Sequence, residues 1–569
     1  MSAMNTRKAT AMNRMIPFAM CVAASFLAPG AHAAAPGMTS TTGSATAAVF
    51  NLVAQAAHIS QPDGAAVYSW GYGCATGSTP NFVPAAIPGA RCDTMQIPGP
   101  TLVVSQGQLV TVTLTNSLPK AAGSTSILFP DFQVCAATLN PDGSCPSALS
   151  GAPGLLTREA ANGGTVTYSF KATNAGTHVY YSGTQGDLQV EMGMYGAIIV
   201  LPAASASNTG SCTALGAEYT RPAAAAPART TAEGEFRLAK AAYDHAATCY
   251  DREYLFQFSE MDPTIHRQAE EQVQADKELC ARNEGCLAVE TEPYHPAYYM
   301  INGRSMPDDM DTNYAYQYPH QPYNGNPHMH PGELVLLRVI GTGRWQHPFH
   351  EHGNHVRVLA RDGNLILSQT DRTKLAGPLL FTTTTTPGQA MDGIFYWSGK
   401  GLNWDVYAHK LPAGAVPGPT PAGNPHQDPQ PCFADDDGYY TTASHPAAPA
   451  SAPNYYEWCA DHGKALEKNP LGDVPNGGPI TLPDPNILAN GAWYGGSPYL
   501  GPEATARAVG LTPIPPSGTI ANDPGSEAGF AFMWHSHNER EITTNNAFPG
   551  GMMMMMLVDP QAYPIDESK

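Results

Sequence analysis

Residues 101–115 read TLVVSQGQLVTVTLT. Apolar and β-branched residues alternate with polar ones on both sides of Gln106-Gly107, the pattern of two half-buried strands meeting at a tight turn. Outward from there, Thr165–Phe170 and Tyr195–Leu201 repeat the style, and residues 45–200 read as strands throughout. Composition agrees with this. Gly (55) and Pro (52) make up about 19% of the 569 residues, against roughly 12% in average usage. The charged fraction is 14%, against a usual value of roughly 25%. Such a chain is no coiled coil, helical bundle or charged disordered tail; it favours many short strands joined by Gly/Pro turns.

Further along, strands resume at 297–301 and 333–340, continue through 356–360 and 379–386, and close the chain at 530–534 and 551–558. Residues 203–235 are rich in Ala, Pro, Ser and Thr and read as a linker. Asp262-Pro263 is a helix start, an N-cap with Pro at the first helical position, opening the amphipathic HRQAEEQVQADKELCARN. Residues 410–525 are dense in Pro, Gly and Asn. A structureless loop of that length is rare in a compact domain, so the stretch reads as a large ordered insertion or a divergent third domain. The expected organisation is a leader over 1–33, a first domain over 45–202, the 203–235 linker and a second domain with the helical insert over 236–409. The remaining 410–569 holds the insertion and the last strands, with a third domain as the alternative.

The leader has basic residues, an apolar run from Ile16 to Leu27 and an Ala31-His32-Ala33 cleavage motif, the signature of a secretory signal peptide. That run is too short to span a bilayer, so the expected location is periplasmic or extracellular. Net charge is −19, and loss of Arg7, Lys8 and Arg14 with the leader makes it −22. So acidic a surface repels phosphate backbones, which excludes nucleic-acid binding, and attracts metal cations. Beyond the leader ten of the eleven Cys remain, an even count that suggests disulfides in an exported protein. Pairing by neighbours would give Cys74–Cys92, Cys135–Cys145, Cys212–Cys249, Cys280–Cys286 and Cys432–Cys459, although spacing alone does not fix connectivity. No Cys follows Cys459.

Several segments stand out in order: IPGPTLVVSQGQLVTVTLTNSLP (97–119), GTHVYYSGTQ and GMYGAIIV within 176–200, YYMINGR (298–304), GELVLLRVI (332–340), HPFHEHGNHVRVLARDG (347–363) and FMWHSHNERE leading to Met552. Together they resemble the multicopper oxidases. The resemblance covers roughly 45–200, 295–405 and 528–560. It implies an all-β chain of tandem cupredoxin-like Greek-key β-sandwiches, here with a short helical insert and a long Gly/Pro-rich insertion. It also implies copper. The family's three-copper cluster takes four H-x-H pairs, a spacing that works because residues i and i+2 of a strand share a face. Leu128 and Pro130 stand at the first pair and Tyr181 and Gly183 at the second; Leu, Pro and Gly offer copper no side-chain ligand. His350 with His352, and His535 with His537, keep the other two pairs. At the type 1 site His347 remains, Ser536 replaces the thiolate Cys, Glu541 replaces the second His, and Met552 lies near the axial position. A blue copper site needs that thiolate, so no type 1 copper is expected.

What the resemblance then implies is a type 2-like or dinuclear copper on His350, His352, His535 and His537, joined by His347, His355 and the carboxylates Glu351, Glu539 and Glu541. The expected function is an exported copper-binding oxidoreductase with a reduced metal set, oxidising a metal ion or small electron donor with O2. Glu539 or Glu541 would carry protons or bind the cation. The alternatives are a non-enzymatic copper-sequestering protein and a metal-free scaffold with 410–525 as a protein-partner surface. Weaker signals carry bland readings: His328-Met329-His330 as a solvated loop rather than a peripheral copper site, Met552–Met556 as packing rather than Cu(I) ligands, the Tyr314–Tyr323 stretch as exposed loop aromatics, and Thr382–Thr386 as an edge strand.

Overall fold

The computed structural model describes residues 34–40, 44–138, 140, 144–145, 157–203, 233–275, 285–330, 333–397, 496–500, 528–558 and 565–567. The leader, most of the 203–235 linker and nearly all of 410–525, including its reading as a partner surface, lie outside them.

The alternation that opens the sequence reading is realised residue by residue. Strand β6 (Leu109–Asn116) buries Val110, Val112, Leu114 and Asn116 and turns the residues between them outward. It lies in a four-stranded sheet with β2 (Ala47–Ser60), β3 (Ala66–Cys74) and β7 (Thr165–Lys171), in the order β3-β2-β6-β7. Facing it is a five-stranded sheet of β1 (Gly37–Thr39), β4 (Asn81–Val83), β5 (Leu102–Ser105), β8 (Gly176–Tyr181) and β9 (Tyr195–Leu201), in the order β4-β1-β5-β9-β8. Leu102, Val104, Val110, Val112, Phe170 and Ile198 fill the space between the sheets. Each such buried side chain is worth about 1.5–3 kcal/mol.

A second sandwich follows. One sheet holds β10 (Arg252–Met261), β11 (Tyr298–Ile301), β13 (Leu334–Gly341), β15 (Val356–Arg361), β16 (Asn364–Leu365), β17 (Leu379–Leu380) and β19 (Ala390–Tyr396). The other holds β12 (His328–Met329), β14 (His347–Glu351), β18 (Thr382–Thr385), β20 (Gly496–Leu500), β21 (Ala528–Ser536) and β22 (Met553–Val558). Their shared core includes Phe256, Leu337, Phe349, Val358, Phe395 and Trp534. The chain is therefore all-β, with cupredoxin-like sandwiches in tandem. Two α-helices are described, α1 (Gly186–Gln189) and α2 (Pro263–Ala275). Asp262 caps α2 as its sequence implies, its Oδ1 accepting the Thr264 N–H at 2.8 Å.

The sandwiches meet through Val103, Val179 and Ile199 of the first and Leu255, Ile340 and Ala390 of the second. Thr177 crosses this seam, donating from Oγ1 to Asp392 at 2.6 Å and accepting from Arg338 at 3.1 Å. The last strands close the second sandwich: β21 pairs with β14, and β22 pairs with β21. The residues before and after 410–525 are thus neighbours in one sheet.

Two weaker readings need correction. His328 and His330 are buried, not solvated. β12 pairs with β22, and His330 Nε2 meets Glu233 at 2.7 Å in an ionic cluster where Arg252 also binds Glu233, Glu333 and Glu567. Tyr314, Tyr318 and Tyr323 are likewise buried, leaving Tyr316 exposed. Met552, Met554 and Met556 pack in the core, as the packing reading has it. The disulfides Cys74–Cys92 and Cys135–Cys145 form between neighbours.

Candidate metal centre

Alternation along two adjacent strands builds the site. In β14, Phe349 and Glu351 are buried while His350 between them is partly open. In β21, Trp534 is buried in the same core. The antiparallel register sets His350 opposite His535 and Phe349 opposite Ser536. Directly opposed residues share a face, so the apolar partners that fix the strands in the core leave the imidazoles together on the reverse side. Trp534 Nε1 also donates to the His352 carbonyl at 2.9 Å, which holds the chain as it leaves β14.

His350, His352 and His535 converge, with one ligand-competent atom of each lying within 4.8 Å of the others. His537 is exposed but close, its ring 4.9 Å from that of His350 and 5.6 Å from that of His535.

The hydrogen bonds orient two of these rings for ligation. His535 Nδ1 lies 2.7 Å from the Ser536 carbonyl, which can only accept, so Nδ1 carries the proton and Nε2 keeps a lone pair. That Nε2 faces His352 Nε2 at 3.1 Å. His350 Nδ1 is held at 2.9 Å by the Thr382 hydroxyl, leaving its Nε2 to the cluster. A carbonyl or hydroxyl on the remote nitrogen is the usual support for a metal-binding histidine. Electrostatics act the same way. Burial, followed by the nearby His352, His535 and His537, pushes the His350 pKa down to about 4, and burial lowers that of His535. Both rings are neutral at pH 7, as ligation requires. Borderline-soft imidazoles in this number suit Cu(II) or Zn, so the donor set fits copper.

The other residues singled out from the sequence stand elsewhere. His355 is buried against Phe381 and outside the triad, its pKa lowered to about 4 by burial. Glu351 points into the core, donated to by Thr383 at 2.8 Å, and burial raises its pKa to about 8. Glu539 is exposed on the turn after His537.

His347 and Glu541 belong to a different assembly. Both His347 nitrogens meet carboxylates at 2.9 Å, Nε2 on Glu260 and Nδ1 on Glu541. Ser536 donates its hydroxyl to Glu541, and Asn538 Nδ2 donates to its other oxygen at 2.9 Å. Burial disfavours the charged imidazole, but the hydrogen bonds and charges of Glu260 and Glu541 outweigh it and raise the pKa to about 9. An imidazolium protonated on both nitrogens has no lone pair for a metal. Met552 adjoins this group through its backbone, which pairs with Ser536 and Glu541. The positions of a type 1 site thus come together as the resemblance implies, but as a buried ion cluster. Glu260 is the residue that sequence reasoning missed. Its one signal was a carboxylate at the end of the strand-like run YLFQFSE.

Fold and site together define an all-β double sandwich bearing a surface-open group of imidazoles. Residues 94–205, in the first sandwich, match the family model described as multicopper oxidase. The chain is therefore multicopper-oxidase-like in that domain. Solved structures it is similar to include the blue copper oxidase from Nitrosomonas europaea (15% identity, 89% of this chain and 85% of that chain covered, TM-score 0.40). The multicopper oxidase mgLAC is another (15%, 91% and 88%, TM-score 0.40), as is a copper nitrite reductase from Nitrosomonas europaea (15%, 62% and 85%, TM-score 0.34). No curated protein matches the chain. Among the described residues no helix is long and apolar enough to cross a membrane.

Proposed function

We propose that this chain is an exported copper-binding oxidoreductase with a reduced metal set, in which His350, His352 and His535 hold the metal and His537 lies at its open side. The observation that carries this reading is the convergence of three imidazoles, two of them neutral and oriented by hydrogen bonds, beside the exposed His537. Copper bound there would supply one-electron exchange between O2 and a metal ion or small electron donor. The protein's own contribution is to hold the rings through Thr382 and the Ser536 carbonyl, and to attract cations with its net charge of −19. Glu539, exposed beside His537, is the carboxylate we assign to proton or cation handling. Glu541, bound to His347, holds the ion cluster instead.

A second reading, copper sequestration without turnover, draws support from Ser536 and the doubly clamped His347, which leave no thiolate centre for electron entry. One experiment separates the two. The mature protein and a His350→Ala/His535→Ala variant are loaded with Cu(II) and compared by metal content, EPR and O2 consumption with Mn(II), Fe(II) or phenols. The oxidoreductase reading expects a type 2-like signal and turnover, both lost in the variant. Copper without turnover favours sequestration, and no copper in the native protein sinks both.

A further inference from the structure

A second group of sulfur atoms lies in the first sandwich, apart from the histidine triad of the second. The Met38 thioether stands 3.5 Å from Cys74 Sγ and 3.9 Å from Cys92 Sγ, the two sulfurs of the Cys74–Cys92 disulfide. All three side chains are buried. Beside them is a cavity of about 130 Å³, lined by Met38 and Cys74 and edged by the exposed Asn51, Gly77 and Thr79. Small ions therefore have a way in.

The backbone holds the three sulfurs together whether or not the disulfide is closed. The Cys74 N–H donates to the Cys92 carbonyl at 2.5 Å, and the neighbouring Tyr72 and Gln96 pair as a bridge. Met38 is fixed separately, pairing with Phe82 on one side and Leu102 on the other. Reduction would free two thiols without releasing the segments that carry them. With metal–sulfur bonds of about 2.3 Å, three sulfurs around one ion stand about 4 Å apart. The two Met38 contacts are already close to that spacing.

We propose that the reduced form of Cys74–Cys92, together with Met38, is a three-sulfur site for Cu(I), distinct from the imidazole centre and independent of its assignment. Soft thiolate and thioether ligands select Cu(I) over harder divalent ions. The chemistry balances with a dithiol as reductant. Two electrons and two protons pass from the dithiol to the protein disulfide, the dithiol becomes a disulfide, and Cu(I) then displaces the thiol protons as it binds. The closed disulfide offers no thiolate, so metal binding here depends on redox state.

The test uses the full mature chain carrying His350→Ala/His535→Ala, which removes the imidazole centre. The oxidised and the anaerobically dithiol-reduced forms are titrated with Cu(I) against a colorimetric Cu(I) chelator, after the dithiol has been removed, with and without Met38→Leu. The site predicts at least one additional tight Cu(I) per chain on reduction. It also predicts that Met38→Leu weakens that ion by roughly tenfold or more, at least what loss of a group supporting a metal ligand costs. X-ray absorption should show three sulfur neighbours, falling to two in the variant. Leu nearly matches Met in volume, so the fold is retained, and circular dichroism checks this. The other cysteines are reduced in both proteins and cancel in the comparison. No added Cu(I) on reduction, equal affinity with and without Met38, or two sulfur neighbours in the parent would each overturn the proposal.

Discussion

The same piece of backbone occurs in both sandwiches with opposite chemistry on it. In the second, His350 and His535 are cross-strand partners. In the first, Leu128 and Tyr181 form the equivalent bridge, exchanging backbone hydrogen bonds at 2.7 and 3.3 Å. Beneath each pair the core residues match in kind: Ile127, Phe129 and Tyr180 in one, Phe349 and Trp534 in the other. The strand pairing is thus held by the inward face. The outward face can keep or lose ligands without disturbing it.

Converting one face into the other is the most severe test of that comparison. The exchange His350→Leu/His535→Tyr copies the first sandwich's pair into the second. Metal content should fall to none, while the unfolding free energy falls by no more than the roughly 1 kcal/mol at which point substitutions are centred. A collapse of the fold would mean that the imidazoles, not the core, hold β14 to β21.

The second contrast is between the open imidazoles and the buried ion cluster three residues back along the same strand. Glu541→Ala leaves His347 charged, buried and bound on one side only, while Ser536 loses its acceptor. Breaking one partner of a buried pair costs about 3–5 kcal/mol, which chemical denaturation would show. The same substitution should leave copper binding at His350, His352 and His535 intact in whatever protein remains folded. Equal loss of both would merge the two sites into one.

Titration separates them further. His347 has its pKa raised to about 9 in the folded protein, so the stability it contributes is complete below the unfolded value of about 6.5 and is lost as pH rises through about 9. At about 1.4 kcal/mol per tenfold change in proton affinity, the loss across that window is about 3 kcal/mol. His347→Gln should flatten this part of the stability–pH curve. Glu191, raised to about 8 mainly by burial, loses its contribution in the same direction between about pH 4.5 and 8. It is common to both proteins and drops out of the difference. An unchanged slope in the variant would show that His347 is not the titrating group.

These tests follow the division between what sequence made legible and what it did not. Strand alternation and H-x-H spacing are local, so β6 and the shared face of His350 and His352 could be read directly. The pairing of β14 with β21 could not, because 410–525 separates them and no local pattern encodes register across such a gap. The fate of His347 was hidden for the same reason, since its two carboxylates come from β10 and from the turn after β21. The burial of His328 was hidden too, being decided by a parallel strand more than two hundred residues later. Short-range periodicity showed which way a side chain faces; what it faces depends on contacts distant in sequence.

The smallest expected effect concerns why the first sandwich has no imidazole at Gly183. A Cβ built there would lie 2.7 Å from Leu128 Cγ and 3.1 Å from both its methyl carbons. Leu128 is only partly buried and can move, so Gly183→Ala should cost about 1 kcal/mol, the low end for overpacking. Leu128→Ala in the same chain should relieve it, with a coupling of at least about 0.5 kcal/mol in a double-mutant cycle. That outcome would make Leu128 and Gly183 a matched pair, so that a ligand could return to either position only if both changed. Additive effects would mean that crowding plays no part, and that single His substitutions could extend the metal-binding face into the first sandwich.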